Sequence, residues 1–165
     1  NESGNGGLWQ PSQIRFFDNT AAVNADGAYF KDNRARFRGM GQYIFLEKEP
    51  DGQYILKMTG NEQNLYSGFR LPFKYAANKN FEFNAELKLD NRNKGYFSIV
   101  LIEFGIANKE LKYHHLKLDK NSDWQKLNTT VKTSPDAKEL GITIMSRGLN
   151  KDAHGYVKNF RIKAL

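Results

Sequence analysis

Apolar and polar residues alternate one by one through much of this chain. Phe81, Phe83, Ala85 and Leu87 take turns with Glu82, Asn84, Glu86 and Lys88. A period of two puts alternate side chains on opposite faces of a strand, so this segment predicts a strand with one face buried. The run 95–103 (Gly-Tyr-Phe-Ser-Ile-Val-Leu-Ile-Glu) is almost continuously apolar and predicts a central strand covered on both faces. Runs at 42–47, 53–58, 66–71, 111–118, 140–146 and 155–164 read as further strands. Turn-forming stretches separate them: Pro50-Asp51-Gly52, Asp90-Asn91-Arg92-Asn93-Lys94-Gly95, 119–123 and 148–152. Segments 76–79 and 134–139 have room for one helical turn. The first 40 residues carry a turn at Asn24-Ala25-Asp26-Gly27, a short strand at 34–38 and little other pattern. Recurrent short strands without a long helix predict an all-β, antiparallel sandwich of about nine to eleven strands.

Composition narrows this picture. The 165 residues suit one domain with a proper core. Residues 1–7 are polar and Gly-rich and read as a flexible tail or linker end, leaving 8–165 as a single sandwich domain. An Asn at position 1 is expected of a processed chain or of a piece of a longer one. At 39% hydrophobic and 26% charged residues, the chain has globular rather than disordered composition. No apolar run approaches the roughly 20 residues that span a bilayer as a helix, and there is no basic-then-apolar leader. Cysteine is absent, which excludes disulfides, thiolate catalysis and Cys-ligated zinc. A formal net charge of +7 favours an anionic partner.

The second half has a recognisable order of parts. Tyr66-Ser67-Gly68-Phe69-Arg70 precedes a loop, and strands over 81–89 and 96–103 follow. Then come Asp123-Trp124-Gln125-Lys126-Leu127 and Pro135-Asp136-Ala137-Lys138-Glu139-Leu140-Gly141-Ile142. The chain closes on Gly155-Tyr156-Val157-Lys158-Asn159-Phe160-Arg161-Ile162. Over roughly residues 60–165 this resembles the jelly-roll carbohydrate-binding modules appended to bacterial glycosidases and polysaccharide lyases. The resemblance implies a jelly-roll β-sandwich and non-catalytic binding of a polysaccharide. It also implies tethering to a catalytic domain in a longer chain, and an extracellular or cell-surface location. Trp124 matches a strand-start Trp that packs structurally in such modules. Many of them place an Asp of the last strand on a structural calcium. The matching residue here is Asn159, whose amide oxygen can ligate calcium but brings no charge, so a tight calcium site is not expected.

The residues themselves offer chemistry suited to sugars, which present an apolar ring face and hydroxyls and therefore call for exposed aromatics beside hydrogen-bonding side chains. On a strand over 111–118, Tyr113, His115 and Lys117 share one face, and His114, Leu116 and Leu118 share the other. The second set reads as core, so the first reads as an open face carrying an aromatic ring, an imidazole and a cation. Tyr66 and Arg70 share a parity on their own strand and suit a place beside that face. Arg147 projects near a strand end. Tyr43 and Trp9 are further candidate stacking residues. The cations make an acidic glycan the expected ligand. Arg34, Arg36 and Arg38 alternate with Ala35 and Phe37, reading as a charge-protected edge strand or an anion-binding row. Nucleic acid is not expected, because the charge is spread out and no nucleotide-binding motif appears.

Catalysis has weaker support. His114 and His115 are adjacent and point to opposite faces, so they cannot share a metal from a regular strand. Glu86 and Glu103 are the candidate carboxylate pair of a glycosidase, on strands read as neighbours. Tyr113, His115 and Arg147 are the residue types of a polysaccharide lyase. There is no Gly-x-Ser-x-Gly elbow and no phosphate loop. Two alternatives to a binding module stand: an assembly domain of a phage tail or surface protein, and a small polysaccharide-cleaving enzyme.

Overall fold

The computed structural model describes residues 13–16, 43–48, 50–51, 54–70 and 76–165. Residues 13–16, 44–46, 48, 54, 67–70 and 164 are described by backbone alone. The expectations for Trp9, the tail over 1–7 and the arginines at 34, 36 and 38 lie outside the described residues.

The described elements are strands β1 (Gln13–Phe16), β2 (Ile44–Lys48), β3 (Tyr54–Thr59), β4 (Asn64–Arg70), β5 (Asn80–Asp90), β6 (Tyr96–Phe104), β7 (Glu110–Leu118), β8 (Ser122–Lys132), β9 (Glu139–Arg147) and β10 (His154–Ala164), with one 3-10 turn at Ile106–Asn108. All pairings are antiparallel. The larger sheet runs β2-β3-β10-β5-β8 with β1 beside β10, and the smaller runs β4-β9-β6-β7. Segments 76–79 and 134–138 hold turns at 77–78 and 135–136 rather than helix.

Alternation decides which face each strand gives to the core. Phe81, Phe83, Ala85, Leu87 and Leu89 of β5 are buried, while Glu82, Asn84, Glu86 and Lys88 between them are half-buried on the outer face. Opposite them lie Phe97, Ile99 and Leu101 of β6 and Ile142 and Ile144 of β9, all fully buried. Phe83 meets Phe160 of β10 edge to face at 5.4 Å between ring centroids. The two sheets approach closely at Gly155, where a Cβ would sit 2.3 Å from the ring of Phe97, so only glycine fits. Strand β6 is buried over seven successive residues, Phe97 to Glu103, as its continuous apolar run predicted.

Two expectations need correction. β5 and β6 belong to different sheets, so Glu86 and Glu103 do not flank one cleft. Glu86 sits on the outer face of the larger sheet, whereas Glu103 is fully buried inside the sandwich. One Glu103 oxygen lies 2.6 Å from His114 Nε2, and the other accepts the Ser134 backbone N–H at 2.7 Å. A carboxylate can be held in an interior only with partners of this kind. Trp124, for its part, is not in the core cluster. It lies half-buried with its ring edge to face with Tyr156, at 6.2 Å. Trp124 falls within the β5–β8 register shift, between the Leu87–Gln125 and Leu89–Ser122 pairs.

Candidate functional site

The smaller sheet turns one face away from the core, and its registers say which residues share that face. Directly opposed residues of antiparallel strands project on the same side. Tyr66, Met145, Ser98 and Lys117 form one row across β4, β9, β6 and β7. Thr143, Val100 and His115 lie in the next, and Gly141, Ile102 and Tyr113 in the one after. The backbone of Arg70 opposes Gly141 in that last row; its side chain is outside the described residues. At the other end Arg147 is flanked by Asn64 and Tyr96. Six predicted residues, Tyr66, Arg70, Tyr113, His115, Lys117 and Arg147, thus fall on successive rows of one sheet.

The face has an apolar floor and polar edges. Val100 and Ile102 are 0% and 4% exposed although they lie outside the cluster between the sheets. Edge strand β4 contributes Tyr66, 61% exposed, and edge strand β7 contributes Tyr113, 42% exposed. The Tyr113 hydroxyl donates to Glu110 Oε1 at 2.5 Å. Burial, the Glu110 bond and charge, and Tyr66 across the sheet together push its phenol up to about 12, so it stays protonated.

His115 is held from three sides. Its ring stacks on Tyr113 at 6.2 Å between centroids and meets Tyr96 edge to face at 6.5 Å. Its Nδ1 lies 2.9 Å from Ser98 Oγ, and that hydroxyl donates to the Leu116 carbonyl at 3.1 Å. When that hydroxyl donates to Leu116 it accepts from Nδ1–H of His115, the tautomer that leaves the Nε2 lone pair as an acceptor. Desolvation, then Lys117 and His114, lower the imidazole below its ordinary value. The ring is therefore neutral near pH 7 and offers an acceptor to a hydroxyl. Lys117 Nζ lies 4.8 Å from the Tyr96 ring centroid, a cation placed by an aromatic face.

Tyr96, Ser98 and Glu110 were not among the predicted residues. Parity along β6 (Tyr96, Ser98, Val100, Ile102) is the signal that identifies the first two. A run buried on both faces hides it. Tyr43 is a correction. It immediately precedes β2, in the other sheet, and packs against the core cluster, so it does not reach this face. The structure brings Tyr113 and His115 together, but Arg147 lies at the far end of the face. The upward push on the Tyr113 phenol is opposite to what a tyrosinate base needs. Among the described residues no group of three or more His, Cys, Asp or Glu could hold a metal, and no helix is long and apolar enough to cross a membrane.

The resemblance implied a calcium-ligating position in the final strand. Asn159 sits in a β10 bulge with φ 52°, a left-handed conformation that Asn tolerates. Its Nδ2 donates to Glu86 Oε2 at 2.5 Å. An amide turned to give protons to a carboxylate does not fit a cation between the two.

No family model matches the sequence, and no curated protein matches it. Solved structures do. A family 16 carbohydrate-binding module superposes with a TM-score of 0.51 at 20% identity, over 73% of this chain and 85% of that one. A family 61 module, solved in complex with beta-1,4-galactotriose, gives 0.54 at 11% identity over 90% of this chain and 99% of its own. The chain shares the fold of carbohydrate-binding modules. The enzymatically active domain of tailspike protein 4 of bacteriophage CBA120 also matches, at 0.57 and 6% identity, over 74% of this chain but 18% of that one.

Proposed function

We propose that this chain is a non-catalytic polysaccharide-binding module whose ligand lies across the outer face of the smaller sheet. One observation carries the reading: Tyr66, Tyr96, Tyr113, His115, Lys117 and Arg147 fall on successive rows of one face over an apolar floor. The rings take the apolar face of a sugar, and neutral His115 accepts from a hydroxyl. Lys117 and Arg147 pair with carboxylate or sulfate, so the ligand is an acidic glycan. The module is one part of a longer secreted or surface protein, its likeness to appended modules being the support. Such an open site binds weakly, in the micromolar to millimolar range.

Affinity gel electrophoresis against neutral and acidic polysaccharides, at low and high salt, tests this. Retardation by an acidic polymer that fades with salt is the expected result. No retardation by any polymer overturns it and favours an assembly role, with oligomeric state the next measurement.

A pH dependence follows from His115. Retardation by an acidic polymer should be flat from neutral pH upward and should strengthen on acidification through the lowered imidazole value, as a cation is added beside Lys117. Stability should move the other way. Above the ordinary imidazole range both folded and unfolded chains are neutral and nothing changes. Below it the unfolded chain binds a proton first, so stability falls until the folded ring also titrates. His115→Asn should flatten both profiles, measured by gel retardation and by thermal unfolding across pH.

We also propose that this module folds without a calcium ion at Asn159, because of that amide's bond to Glu86. Excess chelator should leave Tm unchanged within about 1 °C; a drop of the several degrees that loss of a few kcal/mol produces would contradict it.

A further inference from the structure

The outer face of the larger sheet carries a second ordered group of side chains. Lys57 of β3, Tyr156 of β10 and Lys88 of β5 lie side by side in one row. Their ammonium groups stand 5.9 Å and 5.3 Å from the Tyr156 ring centroid. The Tyr156 ring meets His154 and Trp124 edge to face, at 6.3 Å and 6.2 Å. Lys158 Nζ stands 4.2 Å from the centre of the Trp124 ring. The Tyr156 hydroxyl is fixed by Asp90 Oδ2 at 3.1 Å. Three ammonium groups are thus placed by two rings that are themselves held by neighbours. Lys57 also reaches Glu47, at 3.9 Å. Among the described residues no carboxylate lies within ion-pair distance of Lys88 or Lys158.

Aromatic rings that hold lysines in place reduce the entropy that those lysines lose when an anion binds. The ammonium groups stand over the rings, so the patch presents charge more than stacking surface. That disfavours single-stranded nucleic acid, which binds largely by stacking its bases. We propose that Lys88, Lys158 and Lys57, set by Tyr156 and Trp124, form a second surface that binds carboxylate or sulfate groups of a polysaccharide, on the sheet opposite the first. The inference rests on the first reading only in taking the polymer to be a polysaccharide. With both surfaces engaged, one module bridges two chains or two stretches of one chain, and avidity exceeds either affinity.

The test is gel retardation by polygalacturonate and by dextran sulfate, with a single-stranded oligonucleotide as a third probe. Lys88→Gln/Lys158→Gln should weaken retardation by about three- to tenfold, the scale of two exposed charge pairs. The charge-matched control Lys138→Gln/Lys151→Gln should weaken it less. Trp124→Leu, which leaves net charge unchanged, should also weaken it by unseating Lys158. Equal losses in the lysine pair and its control overturn the proposal, because net charge alone then explains binding. So does Tyr113→Ala removing all retardation, which leaves the first surface as the only one. If Tyr113→Ala changes nothing while the lysine pair abolishes retardation, this surface stands and the first reading falls. Preference for the oligonucleotide overturns the ligand class, and a wild-type chain retarded by no polymer overturns both surfaces.

Discussion

His114→Leu should destabilise the folded chain by about 3 kcal/mol, because it leaves the fully buried Glu103 carboxylate with only the Ser134 N–H. Glu103→Leu should cost a similar amount by stripping partners from His114 and from Ser134. The double variant should cost less than the sum of the two, since the uncompensated buried charge is gone. Urea unfolding of the four chains closes this cycle. Additive losses would mean that the pair is not coupled in the folded state. The pair also explains why His114 offers nothing to a ligand: its Nε2 is already spent on Glu103.

The largest effect on binding should come from Tyr113→Ala. The substitution removes an exposed ring and the surface on which His115 stacks, so it loosens two contacts at once. An acidic glycan should be bound at least about tenfold more weakly, which is about 1.4 kcal/mol. Tyr113→Phe keeps the ring and loses only the bond to Glu110, so it should retain most of the affinity. Equal losses in the two variants would place the contribution in the hydroxyl rather than in stacking. Isothermal titration with an oligosaccharide of the retarding polymer separates these outcomes. Lys132→Gln, at the end of β8 in the larger sheet, serves as the unchanged reference.

Much of this architecture is written in local alternation. Phe81, Phe83, Ala85 and Leu87 announce one buried face of β5, and Tyr113, His115 and Lys117 announce the open face of β7, because a strand's period of two is a local property. Strand β8 is different. Its run from Ser122 to Lys132 is mostly polar, and only Val131 among its residues is buried. At the edge of a sheet a strand can satisfy half its backbone groups with solvent and needs little apolar content, so its pattern resembles a loop. The register across strands is also not local. That Tyr66 and Lys117 share a row, or that Glu103 meets His114 indoors, depends on pairings between distant segments. Trp124 shows the same limit: a strand-start Trp is compatible with either face, and this one lies within the β5–β8 register shift, its ring against Tyr156.

Two features of the smaller sheet bear most on function. One is the pair of exposed edge tyrosines, Tyr66 and Tyr113, with buried Val100 and Ile102 between them. The other is the neutral imidazole with a free Nε2, set by Ser98. Both suit contacts to a sugar ring and its hydroxyls.

The most direct measurement is an NMR titration of isotope-labelled protein with a short oligosaccharide of whichever polymer retards it. Shift changes should concentrate at Tyr66, Tyr96, Tyr113, His115 and Lys117 on the smaller sheet. Saturating ligand that leaves those residues unmoved would contradict the proposed binding face.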